Sequence, residues 1–227
     1  MSLIKVCEVT KTYKSGDGVV VALKNVNLEI SEGEFLALMG PSGSGKSTLL
    51  STLGGLNPPT TGKLIIDDID VYALAPELLA DFRHEYVGFV FQQYQLIPYL
   101  TALENVMLPL AITSRSGREQ REMAQAVLVK VGLGTKSQRL PNQLSGGEQN
   151  RVAIARAIVN EPAIIFADEP TGSLDSKTAM ELLELFRALN QSGLTIIMVT
   201  HNKENLAWVS RAVYIRDGVL VPILEEA

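Results

Sequence analysis

The sequence predicts an α/β fold built on a parallel sheet buried on both faces, and three observations lead to it. Short apolar runs occupy residues 35–39, 87–91, 164–167 and 195–199 of the 227-residue chain. Helical patterns separate them, as expected when crossover helices connect parallel strands. The runs end near Gly40, Gln92, Asp168 and His201, and open α/β sheets bind ligands outside the carboxyl ends of their strands. One site could collect all four ends.

Residues 3–9 and 19–23, ahead of these runs, and 64–67, between the first two, read as strands joined by Gly-rich turns, so a smaller antiparallel layer is expected on the N-terminal side. Cys7 falls in the first of them. As the single cysteine it cannot form an intrachain disulfide, and the burial preference of free thiols predicts a buried structural role. Between Gln92 and Ile164 the pattern is helical. Thr101 and Glu104 have capping-box spacing, and Ala124, Val127, Leu128 and Val131 recur at helical intervals before Gly132, a C-terminal cap. This marks an inserted helical subdomain at 95–159 within a single domain whose β layer and core are 1–94 and 160–227. Asp217 and Gly218 separate 213–215 from 219–221 as a two-residue hairpin. The chain ends soon afterwards, and no C-terminal regulatory domain is expected.

Hydrophobic residues make up 46% of the chain, enough for a substantial core, and the net charge of −5 offers no global basic surface for nucleic acid. Lys5 and Glu8 interrupt the region where a secretion signal would need an apolar stretch. No apolar run approaches the roughly 18–20 residues that span a bilayer. A cytoplasmic chain is expected, held at any membrane by another protein.

Gly40-Pro41-Ser42-Gly43-Ser44-Gly45-Lys46-Ser47 fits G-x-x-x-x-G-K-[ST]. Its glycines let backbone N–H groups wrap phosphate oxygens, Lys46 reaches the β/γ-phosphates and Ser47 can ligate Mg²⁺. The loop follows an apolar run and opens a helix with Thr48, the context the motif requires. At 164–169 a second apolar run ends in Asp168 and Glu169. Adjacent strand residues point to opposite faces, so the two acids suit different tasks: Asp168 holding Mg²⁺ and Glu169 orienting or deprotonating the attacking water. Alone this is an ordinary strand end. Beside the Lys46 loop it reads as catalytic.

Leu144-Ser145-Gly146-Gly147-Glu148 precedes a helical run. Ser145 and Glu148 have capping-box spacing, which would explain them as a well-capped helix start. Two glycines in the first turn cost helix stability, and they would let an anion approach the N–H groups at the positive end of the helix dipole.

On these motifs the chain resembles the ABC ATPase family over nearly its full length, with 144–148 similar to the family's signature. The resemblance implies a P-loop NTPase (RecA-like) core. Tyr13 resembles the aromatic that stacks on adenine, Gln92 the Q-loop glutamine that also reaches the metal, Ser173-Leu174-Asp175 the D-loop, and His201 the switch histidine at the γ-phosphate. Taken singly, Tyr13 also fits half-buried packing and Gln92 and Asp175 fit solvated caps. His84 matches nothing in the family and reads as structural. Residues 88–93, 96–98, 101–106 and 170–175 look most like the lipoprotein-release (LolD-type) and macrolide-export (MacB-type) branch. Glu148 stands where many members carry glutamine, adding negative charge near a phosphate site, and Asn202 stands where an acid often follows the switch histidine.

The resemblance implies a homodimer with two ATP molecules between the subunits. Each would be held by Lys46, Ser47 and Asp168 of one chain and capped by Ser145, Gly146, Gly147 and Glu148 of the other, with hydrolysis driving an integral membrane permease. An ATPase that transmits force to a membrane partner without moving cargo is the alternative. Soluble ABC proteins of translation or DNA repair have tandem cassettes or long coiled-coil insertions, which are absent here. Tyr94, Leu96, Ile97, Tyr99 and Leu100 form an apolar group after Gln92. They fit either loop packing or the edge of a groove that receives a cytoplasmic helix of the permease.

Overall fold

The computed structural model describes residues 2–16 and 18–221. Strand β1 (Ser2–Ser15) and strand β2 (Gly18–Ser31) precede β3 (Phe35–Met39), α1 (Lys46–Leu53), β4 (Thr61–Ile66) and β5 (Ile69–Asp70). Helix α2 (Pro76–Tyr86) leads into β6 (Val87–Val90). Then come α3 (Ala102–Met107), α4 (Gly117–Lys130) and α5 (Gly146–Ile158). The chain continues through β7 (Ile164–Asp168), α6 (Ser176–Gln191), β8 (Thr195–Val199), β9 (Arg211–Arg216) and β10 (Val219–Val221).

The larger sheet has the order β10-β9-β3-β8-β7-β6, parallel except for β10. Every residue of β3 and β8 is buried, which is why these strands read as unbroken apolar runs. Alternate side chains enter two separate cores. Leu36, Leu38, Phe166, Ile197 and Val199 pack with α1 and the antiparallel sheet, whereas Phe35, Ile165, Ala167, Ile196 and Met198 pack with the helices of the other face. Each fully buried side chain of this size contributes about 1.5–3 kcal/mol against exposure, so the two-sided burial dictates the strand register.

The smaller sheet, β2-β1-β4-β5, is antiparallel. The expected strand at 19–23 extends to Ser31, because Asn25 (φ 47°) inserts an irregularity between Leu23 and Val26 that masks the period-2 pattern while keeping both side chains in the core. The expectation of a buried Cys7 is corrected, since the residue is exposed. Ile4 and Val6 face inward, so Cys7 faces out. Glu8 then takes a left-handed conformation (φ 52°) and returns Val9 to the core.

Helices α3, α4 and α5 begin with complete capping boxes at Thr101/Glu104, Ser116/Glu119 and Ser145/Glu148. Each such N-cap contributes about 1 kcal/mol. Their apolar faces share one continuous core with the rear of the large sheet. The hairpin turn at Asp217 and Gly218 has positive φ at both residues, 50° and 76°, as a two-residue turn joining right-twisted strands requires.

Candidate functional site

Because β3, β8, β7 and β6 are parallel neighbours, their carboxyl ends lie side by side, bringing the segments at Gly40, His201, Asp168 and Gln92 to one edge of the sheet. The turn from β3 into α1 is shaped by close approach. Gly45 caps α1 at φ 106°, and a Cβ there would sit 2.4 Å from the carbonyl oxygen of Ala22. The Lys46 ammonium donates to the carbonyls of Gly40 and Pro41 at 2.9 and 2.8 Å. A cleft of about 350 Å³ opens over this turn, lined by Ser42, Gly43, Gly45, Lys46, Ser47 and Thr48, with Val20 and Val21 of β2 on one side and Glu169 and His201 on another.

Asp168 ends β7 against the turn. Burial pushes its carboxyl above the ordinary value; a hydrogen bond with Ser47 opposes this, the neighbouring Glu169 adds to it, and Lys46 pulls it back. A carboxyl and a hydroxyl held together beside a phosphate cradle suit Mg²⁺, which binds through one or two protein oxygens plus substrate phosphates. Such a site needs no cage, and among the described residues no three His, Cys, Asp or Glu side chains form one.

Glu169 has left-handed backbone (φ 44°), fixed by donation of its N–H to the Val199 carbonyl at 3.0 Å. Its Oε2 lies 2.9 Å from His201 Nδ1. Gln92 joins them over Gly172, where a Cβ would be 3.3 Å from Gln92 Nε2 and 3.4 Å from Glu169 Oε2. Asn202, where an acid was the familiar residue, caps the following turn by accepting from the Glu204 N–H at 2.9 Å. His84 lies 2.9 Å from the Pro109 carbonyl and 2.8 Å from Asn160 Nδ2, away from the cleft.

Ser145, Gly146, Gly147, Glu148 and Asp175 do not line this cleft. They gather instead where the starts of α5 and α6 touch. The Glu148 N–H donates to Ser145 Oγ at 3.3 Å, and Glu148 Oε2 accepts from the Ser145 N–H at 2.9 Å. Asp175 caps α6 by accepting from Thr178 N–H and Oγ1. Gly147 has a reason for its identity within the chain, since a Cβ there would lie 2.3 Å from Thr178 Cγ2. Tyr13 lies opposite Val20 in the β1–β2 ladder but is not among the residues that line the cleft, and its hydroxyl accepts from Asn57 Nδ2. Tyr13 is 39% exposed, with Lys11 Nζ 5.1 Å from its ring centroid.

Two features escaped the sequence. Val20 and Val21 form an exposed apolar wall of the cleft, which their placement in an alternating strand did not announce. Arg156 of α5 donates to the carbonyls of Tyr94 and Gln95 at 2.8 and 2.6 Å, holding two consecutive left-handed residues just after Gln92. Tyr94 Oη in turn lies 3.0 Å from Ser173 Oγ.

Residues 23–172 match the family model described as ABC transporter. The chain is 51% identical over 221 residues to MJ0796 of Methanocaldococcus jannaschii, an uncharacterized ABC transporter ATP-binding protein, covering 95% of this chain and 94% of that one. It is 48% identical over 225 residues to the macrolide export ATP-binding/permease protein MacB of Syntrophobacter fumaroxidans, covering 98% of this chain but 32% of that protein. Among solved structures, a dimeric post-hydrolysis state of the MJ0796 cassette bound to ADP and Pi superimposes with a TM-score of 0.89 at 48% identity, covering 96% of this chain and 97% of that one.

Proposed function

This chain belongs to the ABC transporter family, and from that premise we propose that it hydrolyses ATP in a cleft completed by a second copy of itself, driving a membrane permease of the export or lipoprotein-release type. The observation that carries the reading is the separation of two half-sites on one chain. The strand-end cleft gathers Lys46, Ser47, Glu169 and His201, while the signature residues 145–148 lie outside it at the start of α5, with Ser145 exposed and Gly147 buried.

In this reading the backbone and Lys46 hold the phosphates, and Ser47 with Asp168 would hold Mg²⁺, which would neutralise charge on the β- and γ-phosphates. Val20, Val21 and Tyr13 offer the apolar surface for the base. Glu169 accepts a proton from, or orients, the attacking water. His201 holds the Glu169 carboxylate, and Gln92 lies with that carboxylate over Gly172. Most of this work is positioning and charge stabilisation, which suits phosphoryl transfer. Ser145 and the α5 amides of a second copy would close over the γ-phosphate, with Asp175 at the edge of the same interface.

No helix among the described residues is long and apolar enough to cross a membrane. In this reading the link to the bilayer runs through the permease, at its cytoplasmic face. A groove of about 400 Å³ beside the Gln92 loop, lined by Leu56, Arg83, His84, Phe91, Gln95 and Arg156 among others, has the dimensions for one turn of an inserted helix. The test is the oligomeric state of Glu169→Gln by light scattering. We expect dimer with ATP, monomer without it, and monomer for Glu169→Gln/Ser145→Arg in either condition. One mass throughout would exclude a shared site.

A further inference from the structure

Glu148 places a carboxylate one turn into α5, where the proposed function requires a phosphate of the second copy's nucleotide to approach. Repulsion is the expected consequence. The structure supplies a counterion from a different element: Lys136, at the end of the turn after α4, bonds Glu148 Oε1 through its ammonium. The other oxygen, Oε2, is engaged by the Ser145 N–H. Both oxygens are therefore occupied, and the Lys136 hydrogen bond is the largest influence holding Glu148 below the ordinary carboxylate range. Lys136 itself is tied in place, because its N–H donates to the Leu133 carbonyl and the next residue, Ser137, accepts from the Leu103 N–H at the start of α3.

We propose that Lys136 is a positioning residue for the shared site, neutralising Glu148 so that the α5 N-terminus can receive a nucleotide phosphate from the second copy. The assignment rests on the signature acting across the dimer. Lys136 and Glu148 then work as a pair. The lysine offsets the charge that an acid brings to this place, whereas glutamine would keep the capping box through its side-chain oxygen and need no counterion.

The experiment follows ATP-driven dimerisation of Glu169→Gln chains by light scattering across an ATP titration. Lys136→Met leaves an uncompensated charge near the phosphate; for charges about 8 Å apart between water-like and surface dielectric, this corresponds to a roughly 3- to 30-fold rise in the ATP needed for half-maximal dimer. Added Glu148→Gln should return the midpoint to within about 2-fold of the parent, and Lys136→Arg should hold it there. The defect should shrink in 1 M salt as screening removes the repulsion. An unchanged midpoint in Lys136→Met overturns the assignment alone. So does a defect that Glu148→Gln fails to rescue, which would make Lys136 a purely structural brace. Failure of the parent Glu169→Gln chain to dimerise overturns the shared site and this assignment with it.

Discussion

His201 Nδ1 and Glu169 Oε2 lie 2.9 Å apart, joining the ends of β8 and β7 beside the cleft over the Lys46 turn. Neither side chain is positioned by its own strand alone. Glu169 has a left-handed backbone that turns its carboxylate out of the strand direction, and His201 sits two residues past the end of β8. Their pairing predicts distinct kinetic losses. Glu169→Gln should slow turnover by at least about 100-fold, the low end for a general acid–base group, while nucleotide affinity stays within a few-fold. His201→Ala should lower kcat with little change in ATP affinity. Single-turnover rates beside equilibrium nucleotide binding separate the two quantities, and near-parental turnover in Glu169→Gln would remove it from catalysis.

Asp168 predicts a trade between stability and function. Burial raises its folded-state value above the unfolded 3.8, so the folded chain keeps a proton that the unfolded chain has lost. Stability therefore falls as pH rises through that window, and at neutral pH ionised Asp168 is a net cost. Asp168→Asn should unfold at a higher temperature than the parent at pH 7 without nucleotide. The gain should shrink as pH is lowered toward 3.8. The same variant should lose Mg²⁺-dependent ATPase activity. An equal or lower unfolding temperature at pH 7 contradicts the argument.

These two sites mark how far the sequence carried. The Gly40–Ser47 loop and the Asp168–Glu169 pair are local patterns, and the chain need only fold in a parallel sheet for their strand ends to meet. Cys7 follows the strand alternation set by Ile4 and Val6 rather than the general burial preference of a free thiol, and residues 24–31 escape notice because the left-handed residue Asn25 shifts the side-chain period, which alternation counting cannot see. The parallel pairing of β9 with β3 depends on tertiary neighbours. Arg156 meets Tyr94 across 62 positions and Lys136 meets Glu148 across 12, and nothing local marks either pair.

Gly147 yields a prediction that separates folding from dimerisation. A methyl group there meets Thr178 Cγ2 at 2.3 Å, so Gly147→Ala should destabilise the isolated chain by about 1–3 kcal/mol, the usual cost of overpacking. Thr178→Ser removes the obstructing methyl and retains the hydroxyl that bonds Asp175. The double variant should recover most of the loss in urea unfolding. Gly147→Ala of parental stability would leave only the nucleotide-facing reason for this glycine.

Arg156 holds the carbonyls of Tyr94 and Gln95, two left-handed residues that follow Gln92, the proposed catalytic glutamine. Arg156→Lys cannot reproduce the two-pronged contact. It should lower kcat more than ATP affinity, because the cradle at Lys46 is untouched while the loop bearing Gln92 is loosened. Equal losses in kcat and affinity would place Arg156 in general stability instead.

The groove proposed to receive the permease can be tested by charge substitution. The apolar residues after Gln92 do not share one environment: Leu96 packs against the helical core, whereas Tyr99 is 78% exposed. Leu96 is partly buried against that core, so a charge there should cost stability as well as any docking, and the position reports packing. Leu56 is the better probe. It lies at the groove beside Arg83 and Arg156 and is 49% exposed, so a new carboxylate there can stay in water in the free chain. An inserted apolar helix would bury that carboxylate. Leu56→Glu should therefore keep ATP affinity and unfolding temperature while reducing co-purification with the permease by at least about 10-fold, and Tyr99→Glu tests whether the contact extends along the loop. Undiminished co-purification of Leu56→Glu would move the docking surface away from this groove.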